Sequence, residues 1–121
     1  MRKLYLSLIG IFYRMIESGE KPEEYRLVNE YWAKRLTKGC TDKMALFELL
    51  KSIRKGYWYN YRLGKVDFNN GYYSEVEFTL GYPKKDDMSR RMVKQIESIT
   101  IGFGNPKWGA PMCPVFIIRY K

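Results

Sequence analysis

The chain contains no histidine. That absence removes every Ser-His and Cys-His nucleophile pair and argues against a typical zinc site. Any catalysis has to use Lys, Glu, Asp, Tyr, Ser or Thr. Cysteine is nearly as scarce: Cys40 and Cys113 stand alone, at no recognisable metal or redox spacing. Reduced thiols in the cytoplasm are the economical expectation, with no metal and no cofactor. Long apolar runs are missing as well. Leu4 to Tyr13 follows Arg2 and Lys3 in the manner of a secretory leader, yet Arg14 interrupts it and no small-x-small cleavage site follows. The run is too short to span a bilayer. It reads as a first strand running into a helix, and no membrane partner is expected.

Acidic residues are outnumbered, 13 against 22 basic, which leaves a formal charge of +9. The excess is concentrated: residues 28–66 carry nine basic and three acidic side chains, whereas residues 1–27 carry five and four. Such a surplus gathers phosphate-bearing ligands electrostatically, although a solubilising surface has the same composition. A length of 121 residues points to a single domain over 1–121 with one core. With 45% hydrophobic and 17% aromatic residues, there is enough apolar material to argue against wholesale disorder. Eleven of the aromatics are tyrosines, whose rings pack while their hydroxyls seek partners, so many are expected at half-buried places.

Lys3 to Ile9 alternates roughly between polar and apolar residues and predicts a strand. From Ile9 the spacing of Phe12, Met15 and Ile16 predicts one helix face, stopped by Gly19 and Pro22. Glu23 to Val28 is extended in character, and Asn29 can cap a short helix over Glu30 to Leu36. Thr41 is the candidate cap of the next helix, with Asp42 in its first turn. Leu46, Leu49, Leu50 and Ile53 follow the i, i+3, i+4, i+7 rule and predict its buried stripe. Lys43, Lys51, Arg54 and Lys55 lie away from that stripe as a basic face.

Beyond Gly56 the character turns to β. Val66 and Phe68 alternate with polar neighbours, and Asn70-Gly71 signals a tight hairpin because both positions tolerate positive φ. Val76, Phe78 and Leu80 predict a strand with one apolar face. Ile99, Ile101 and Phe103 mark another within 93–103, and 115–120 reads as a final buried strand. Residues 81–87 and 104–114 read as loops. Helices early and strands late suggest an α+β fold, with the strands curled into a small barrel and helices over its openings.

The densest local signal is Gly19-Glu20-Lys21-Pro22-Glu23-Glu24-Tyr25-Arg26. Strand alternation puts Glu24 and Arg26 on one face, with Lys21 projecting from the loop before them. A lysine beside a carboxylate and an arginine can recognise a phosphate or a base edge. Buried, the same lysine can serve as a base. An ordinary exposed turn has the same composition.

Gly19-x-Lys21-x-x-Glu24-x-Arg26 matches the G-x-K-x-x-E-x-R signature of ASCH domains. The match runs on into Tyr31-Trp32-Ala33-Lys34-Arg35-Leu36, which resembles the Y-W-x-x-R-L helix of many bacterial and phage members. Val76-Glu77-Phe78-Thr79-Leu80-Gly81-Tyr82 resembles their central strand. The resemblance covers about residues 1–36 and 74–120. It implies a small PUA-like β-barrel with flanking helices and a cleft lined by the signature residues. It also implies RNA or a nucleotide-like small molecule as partner. Some small members are amidohydrolases acting on acylated cytidine, and others are ribonucleases. Residues 37–73 exceed the usual connection, so the Thr41–Lys55 helix and the Tyr-rich stretch after it look like an insertion. In the amidohydrolase branch a threonine nucleophile stands three positions after the lysine. Here that position is Glu24, which can act as a base but cannot replace a hydroxyl nucleophile directly. A later carboxylate would come from Glu75 or Glu77.

Three functions compete. In the first, a basic cleft binds RNA or a nucleotide through Lys21, Glu24, Arg26, Arg35, Tyr82, Lys84 and Arg90. In the second, a metal-independent hydrolase uses Lys21 as base, with Glu24 or Glu77 assisting. In the third, the inserted helix docks a protein partner, which an exposed apolar patch on it would favour. Trp32 reads as packing, with Arg35 the partner of Glu24, or else as a stacking surface beside a phosphate-facing Arg35. Tyr57-Trp58-Tyr59-Asn60-Tyr61-Arg62 suits a single-stranded nucleic-acid groove and equally the packing between insert and barrel. Lys84-Lys85-Asp86-Asp87 and Arg90-Arg91 are candidate phosphate contacts or solvated charge.

Overall fold

In the computed structural model, which describes residues 2–56 and 66–121, the first alternating stretch forms β1 (Lys3–Leu8). Its leucines Leu4, Leu6 and Leu8 are buried. Then follow α1 (Gly10–Glu17), β2 (Glu23–Leu27), α2 (Glu30–Leu36), α3 (Lys43–Arg54), β3 (Glu75–Leu80), β4 (Arg91–Gly102) and β5 (Val115–Tyr120). Short 3-10 turns at Met88–Arg90 and Pro106–Trp108 lie in the two late loops. Among the described residues no helix is long and apolar enough to cross a membrane.

The strands form one sheet in the order β1-β3-β4-β5-β2. β1 runs parallel to β3, and the other neighbours are antiparallel. β4 is the hinge of the sheet: its first half pairs with β3 and its second half with β5, with a register shift between Ile96 and Ser98. Such a bulge bends and coils a strand. The α+β class agrees with the sequence reading, but the sheet is open rather than a closed barrel. β1 and β2 are its edges, and they share no ladder among the described residues.

Arginines account for the open edge. The carbonyls of Tyr5 and Ser7, two residues apart, face the same free side of β1. Arg35 Nη2 donates to the first and Arg26 Nη2 to the second, each at 3.0 Å. Guanidinium groups thus satisfy acceptors that a neighbouring strand would take in a closed barrel.

All three helices pack on one face of the sheet, giving Tyr13, Ile16, Ala33, Leu36, Leu46 and Ile53 to the core with Val76, Phe78, Ile99, Phe116 and Ile118. A smaller cluster on the other face joins Tyr25, Ala110, Val115 and Ile117, with Trp108 packed against it. Asn29 caps α2 as predicted, accepting from the Trp32 N–H at 2.9 Å. Asp42, not Thr41, caps α3: its carboxylate takes the Ala45 N–H at 3.0 Å, and the helix begins one residue later. In α1 the buried residues are Tyr13 and Ile16. Phe12 is only half-buried because its ring turns toward Lys21.

The Asn70-Gly71 turn forms with φ of 44° and 78°, closed by the Tyr72 N–H on Asn69 O at 2.8 Å. Among the described residues from Val66 onward no strand leads into it, however, and Val66 is exposed. One main-chain bond, the Phe68 N–H on Ile99 O at 2.7 Å, ties the segment to β4, and side chains supply the rest. Asp67 Oδ1 accepts from the backbone of Ile99 at 2.9 Å and of Asn69 at 3.0 Å. Asn69 exchanges two bonds of 2.9 Å with the Tyr73 backbone. Phe103 falls beyond the end of β4 and is exposed, outside the predicted alternation.

Candidate functional site

The junction between α1 and β2 is fixed before any side chain is considered. Gly19 takes φ +85°, which glycine adopts without strain, and the Lys21 N–H returns to Met15 O at 3.0 Å. The Lys21 carbonyl accepts from the Tyr120 hydroxyl of β5. Held at both main-chain groups, Lys21 points inward and is 1% exposed.

Its ammonium donates to Glu24 Oε1, and Glu24 is itself 3% exposed. The same oxygen accepts the Tyr25 N–H at 3.0 Å, while Oε2 meets Arg26 Nη2 at 3.2 Å. The rings of Phe12 and Tyr25 lie 4.3 and 5.3 Å from the ammonium. Charges at this depth persist only when paired and hydrogen-bonded, and every charge here is.

Arg26 and Arg35 each place a guanidinium 5.0 Å from the Trp32 ring. Trp32 packs partly against the core, as the packing reading expects, and its ring also carries the two guanidinium groups. Arg35 does not partner Glu24. It donates to the Tyr31 hydroxyl at 3.1 Å and to Tyr5 O, and Arg26 takes the carboxylate instead. Burial holds the Arg26 guanidinium below the usual arginine value; Glu24 opposes that shift and Arg35 adds to it. Arg26 Nε is buried and has no acceptor. An unsatisfied buried donor costs about 1–3 kcal/mol, and Arg91 Nε beside Glu77 is in the same position. Lys21, Arg26 and Arg35 against Glu24 leave the cluster two positive charges in excess.

A cavity of about 210 Å³ opens between the sheet edges. Its walls are Ser7 to Ile9 at the end of β1, Phe12, Lys21 and Glu24 to Arg26, and Trp108-Gly109 from the loop before β5. Gly109 has φ +91°, and a Cβ there would sit 2.4 Å from the Phe12 ring. Only glycine lets this loop close over Phe12.

Tyr120, half-buried and facing Glu24 and Glu23, holds its proton more tightly than a phenol at the ordinary value of 10.0, chiefly through that burial. Tyr25 behaves likewise, mainly through burial, although the Asn105 N–H works against the shift. A proton bound more tightly in the folded state stabilises fully below the unfolded value and is lost as pH rises above it. Thermal midpoints are therefore expected to fall as pH passes 10.0, and Tyr120→Phe should flatten that fall. An unchanged slope in the variant would remove Tyr120 as its cause.

The remaining candidates are dispersed. Glu77 lies on the sheet face opposite Phe78, held by Arg91 at 3.2 Å and Lys3 at 3.6 Å, and takes no part in the cavity. Glu75 shares that face of β3. Tyr82 is 95% exposed in the loop that the Gly81 N–H fastens to Leu8 O at 2.9 Å, beside the cavity wall. Lys84 and Arg90 do not line the cavity; Arg90 pairs with Asp87 at 3.5 Å. The Tyr57–Arg62 stretch lies outside the described residues. Phe12, Tyr25, Trp108 and Tyr120 complete the site and were not among the sequence candidates. Tyr25 lay within the Gly19–Arg26 stretch and Trp108 in a Gly/Pro-rich loop, whereas Phe12 and Tyr120 carried no local signal of a site. Among the described residues no group of three or more acidic or cysteine side chains could hold a metal ion.

No protein-family model, curated protein or solved structure matches this chain.

Proposed function

We propose that the cleft between β1 and β2 binds RNA or a nucleotide-like ligand, in keeping with the resemblance to ASCH domains and their PUA-like barrel. The observation that carries the reading is the pair of guanidinium groups, Arg26 and Arg35, on one indole beside a small cavity. The surplus positive charge draws a phosphate. A cavity of about 210 Å³ lies below the ~300 Å³ where pockets for drug-sized ligands begin, so it suits one planar group such as a nucleobase. Tyr5, Tyr31 and Tyr82 are exposed and offer π-faces to neighbouring bases. Lys21 and Glu24 are engaged with each other, so their part is to hold Arg26 and to present a polar edge to the ligand. Binding is favoured over turnover because Glu77, the second carboxylate a hydrolase would use, stands on the other face of the sheet.

The test is a fluorescence-anisotropy titration of labelled single-stranded RNA at two ionic strengths. Association should weaken steeply with salt, and Tyr82→Ala, harmless to an exposed site, should cost about 1–3 kcal/mol of affinity. Absence of binding at low salt would end this reading. Hydrolysis of acylated cytidine or of the RNA itself would support the hydrolase instead.

A further inference from the structure

α2 and α3 form a groove of about 740 Å³ that the cleft does not use. Its α3 wall consists of Lys43, Leu46, Phe47, Leu50, Lys51 and Arg54, which is the i, i+3, i+4, i+7, i+8, i+11 face of that helix. The α2 wall comes from Ala33, Lys34 and Thr37 on one face of the shorter helix. The sequence led one to expect a single apolar stripe on α3, turned to the core. Leu46 and Ile53 do turn inward, but Phe47 stays 60% exposed and Met44 73% exposed. α3 thus has a second apolar line, Met44 and Phe47, that nothing among the described residues covers; of the two, Phe47 lines the groove.

Charge frames this apolar floor. Lys34 and Lys38 stand on one side and Lys51, Arg54 and Lys55 on the other, while Lys43 reaches from α3 to the Thr37 carbonyl at 3.3 Å; Glu30 is the only acid in the lining. None of the six cations meets a carboxylate within ion-pair distance among the described residues. An apolar floor without cations would suit any hydrophobic partner, and cations without a floor would suit any polyanion. The combination is more selective. A single-stranded nucleic acid would use a row of stacking faces, and this floor is aliphatic apart from Phe47; a duplex held by its phosphates alone would leave the apolar floor unused. An amphipathic helix with acidic flanks satisfies both features, its apolar anchors on the floor and its carboxylates on the rim. α3 has 12 residues and is ~18 Å long, room for about three turns of such a helix.

We infer that the α2–α3 groove is a docking site for an acidic amphipathic helix of a protein partner. The site is separate from the nucleotide cleft and does not rest on it.

The probe is a fluorescein-labelled peptide of about four turns, with leucine at i, i+3, i+4, i+7 and glutamate elsewhere. Its control is a scramble of the same composition without the periodicity. Anisotropy should show the patterned peptide binding at least about tenfold more tightly than the scramble. Phe47→Asp should weaken it by about tenfold or more, as should Lys51→Glu combined with Arg54→Glu. These side chains are exposed or half-buried, and circular-dichroism melts would verify that the variants remain folded. Tyr82→Ala should leave peptide binding unchanged. Equal binding of the scramble, or indifference to Phe47→Asp, would overturn the inference by showing charge attraction alone. Displacement of the peptide by single-stranded RNA would reassign the groove to nucleic acid. A dimer in sedimentation that Phe47→Asp dissociates would assign it to a second copy of the chain. Either result overturns the inference.

Discussion

Glu24→Leu should lower the folding free energy by about 3–5 kcal/mol, the range for removing one partner of a buried ion pair. Lys21 lies 1% exposed, and its ammonium has Glu24 as its hydrogen-bonded partner. Once the carboxylate is gone, two aromatic rings face the charge and cannot replace a hydrogen-bonded counter-ion. Arg26 loses its ion pair as well, but it keeps the Ser7 carbonyl and the Trp32 ring. The damage should therefore centre on Lys21. Adding Lys21→Met to Glu24→Leu should restore a large part of the loss, since apolar residues of similar volume often replace a buried pair at little cost. Urea denaturation of the two single variants and the double completes the cycle. Additive losses would mean that the pair is not coupled and that Lys21 reaches solvent.

Gly39→Ala should be nearly as damaging, for a steric reason. A Cβ at residue 39 would lie 1.8 Å from the Asn69 carbonyl oxygen and 2.6 Å from its carbon. Both are backbone atoms in a turn locked by Asp67, Tyr72 and Tyr73, so neither can give way cheaply. The connection between α2 and α3 must then lift off the turn, at about 3 kcal/mol or more, the upper end for overpacking. Gly71→Ala is the control. It has φ +78° but open space around it, so the expected cost is only the backbone strain of about 1–2 kcal/mol. Equal losses for the two variants would contradict the close approach at Gly39.

The parts of this architecture that were legible in the sequence depend on near neighbours. Period two located β1 and β3, and the Leu46–Ile53 spacing located the inward stripe of α3. The same alternation put Glu24 and Arg26 on one face. It also held an unused warning about Glu77, which shares a strand with Phe78 and must point to the opposite face. What escaped the sequence depends on where distant segments meet. Arg26 rather than Arg35 takes Glu24 because β1 and β2 approach edge to edge, and Arg35 is consumed by the Tyr5 carbonyl. Closure of the barrel fails at that same edge. Phe12 and Trp108 become walls of one cavity across nearly the whole chain, and no local pattern could pair them. The second apolar line on α3 was visible as Met44 and Phe47, but sequence alone did not say which of two lines would be covered.

One measurement bears most directly on the nucleotide reading: photo-crosslinking of single-stranded RNA carrying 4-thiouridine, with the modified peptides identified by mass spectrometry. Adducts on Tyr82, Tyr31, Phe12 or Trp108 are expected: Phe12 and Trp108 wall the cavity, Tyr31 accepts from Arg35, and Tyr82 follows the glycine fastened to Leu8 at the cavity wall. Adducts confined to Lys43–Lys55 would contradict it and move the nucleic-acid site to the α2–α3 groove.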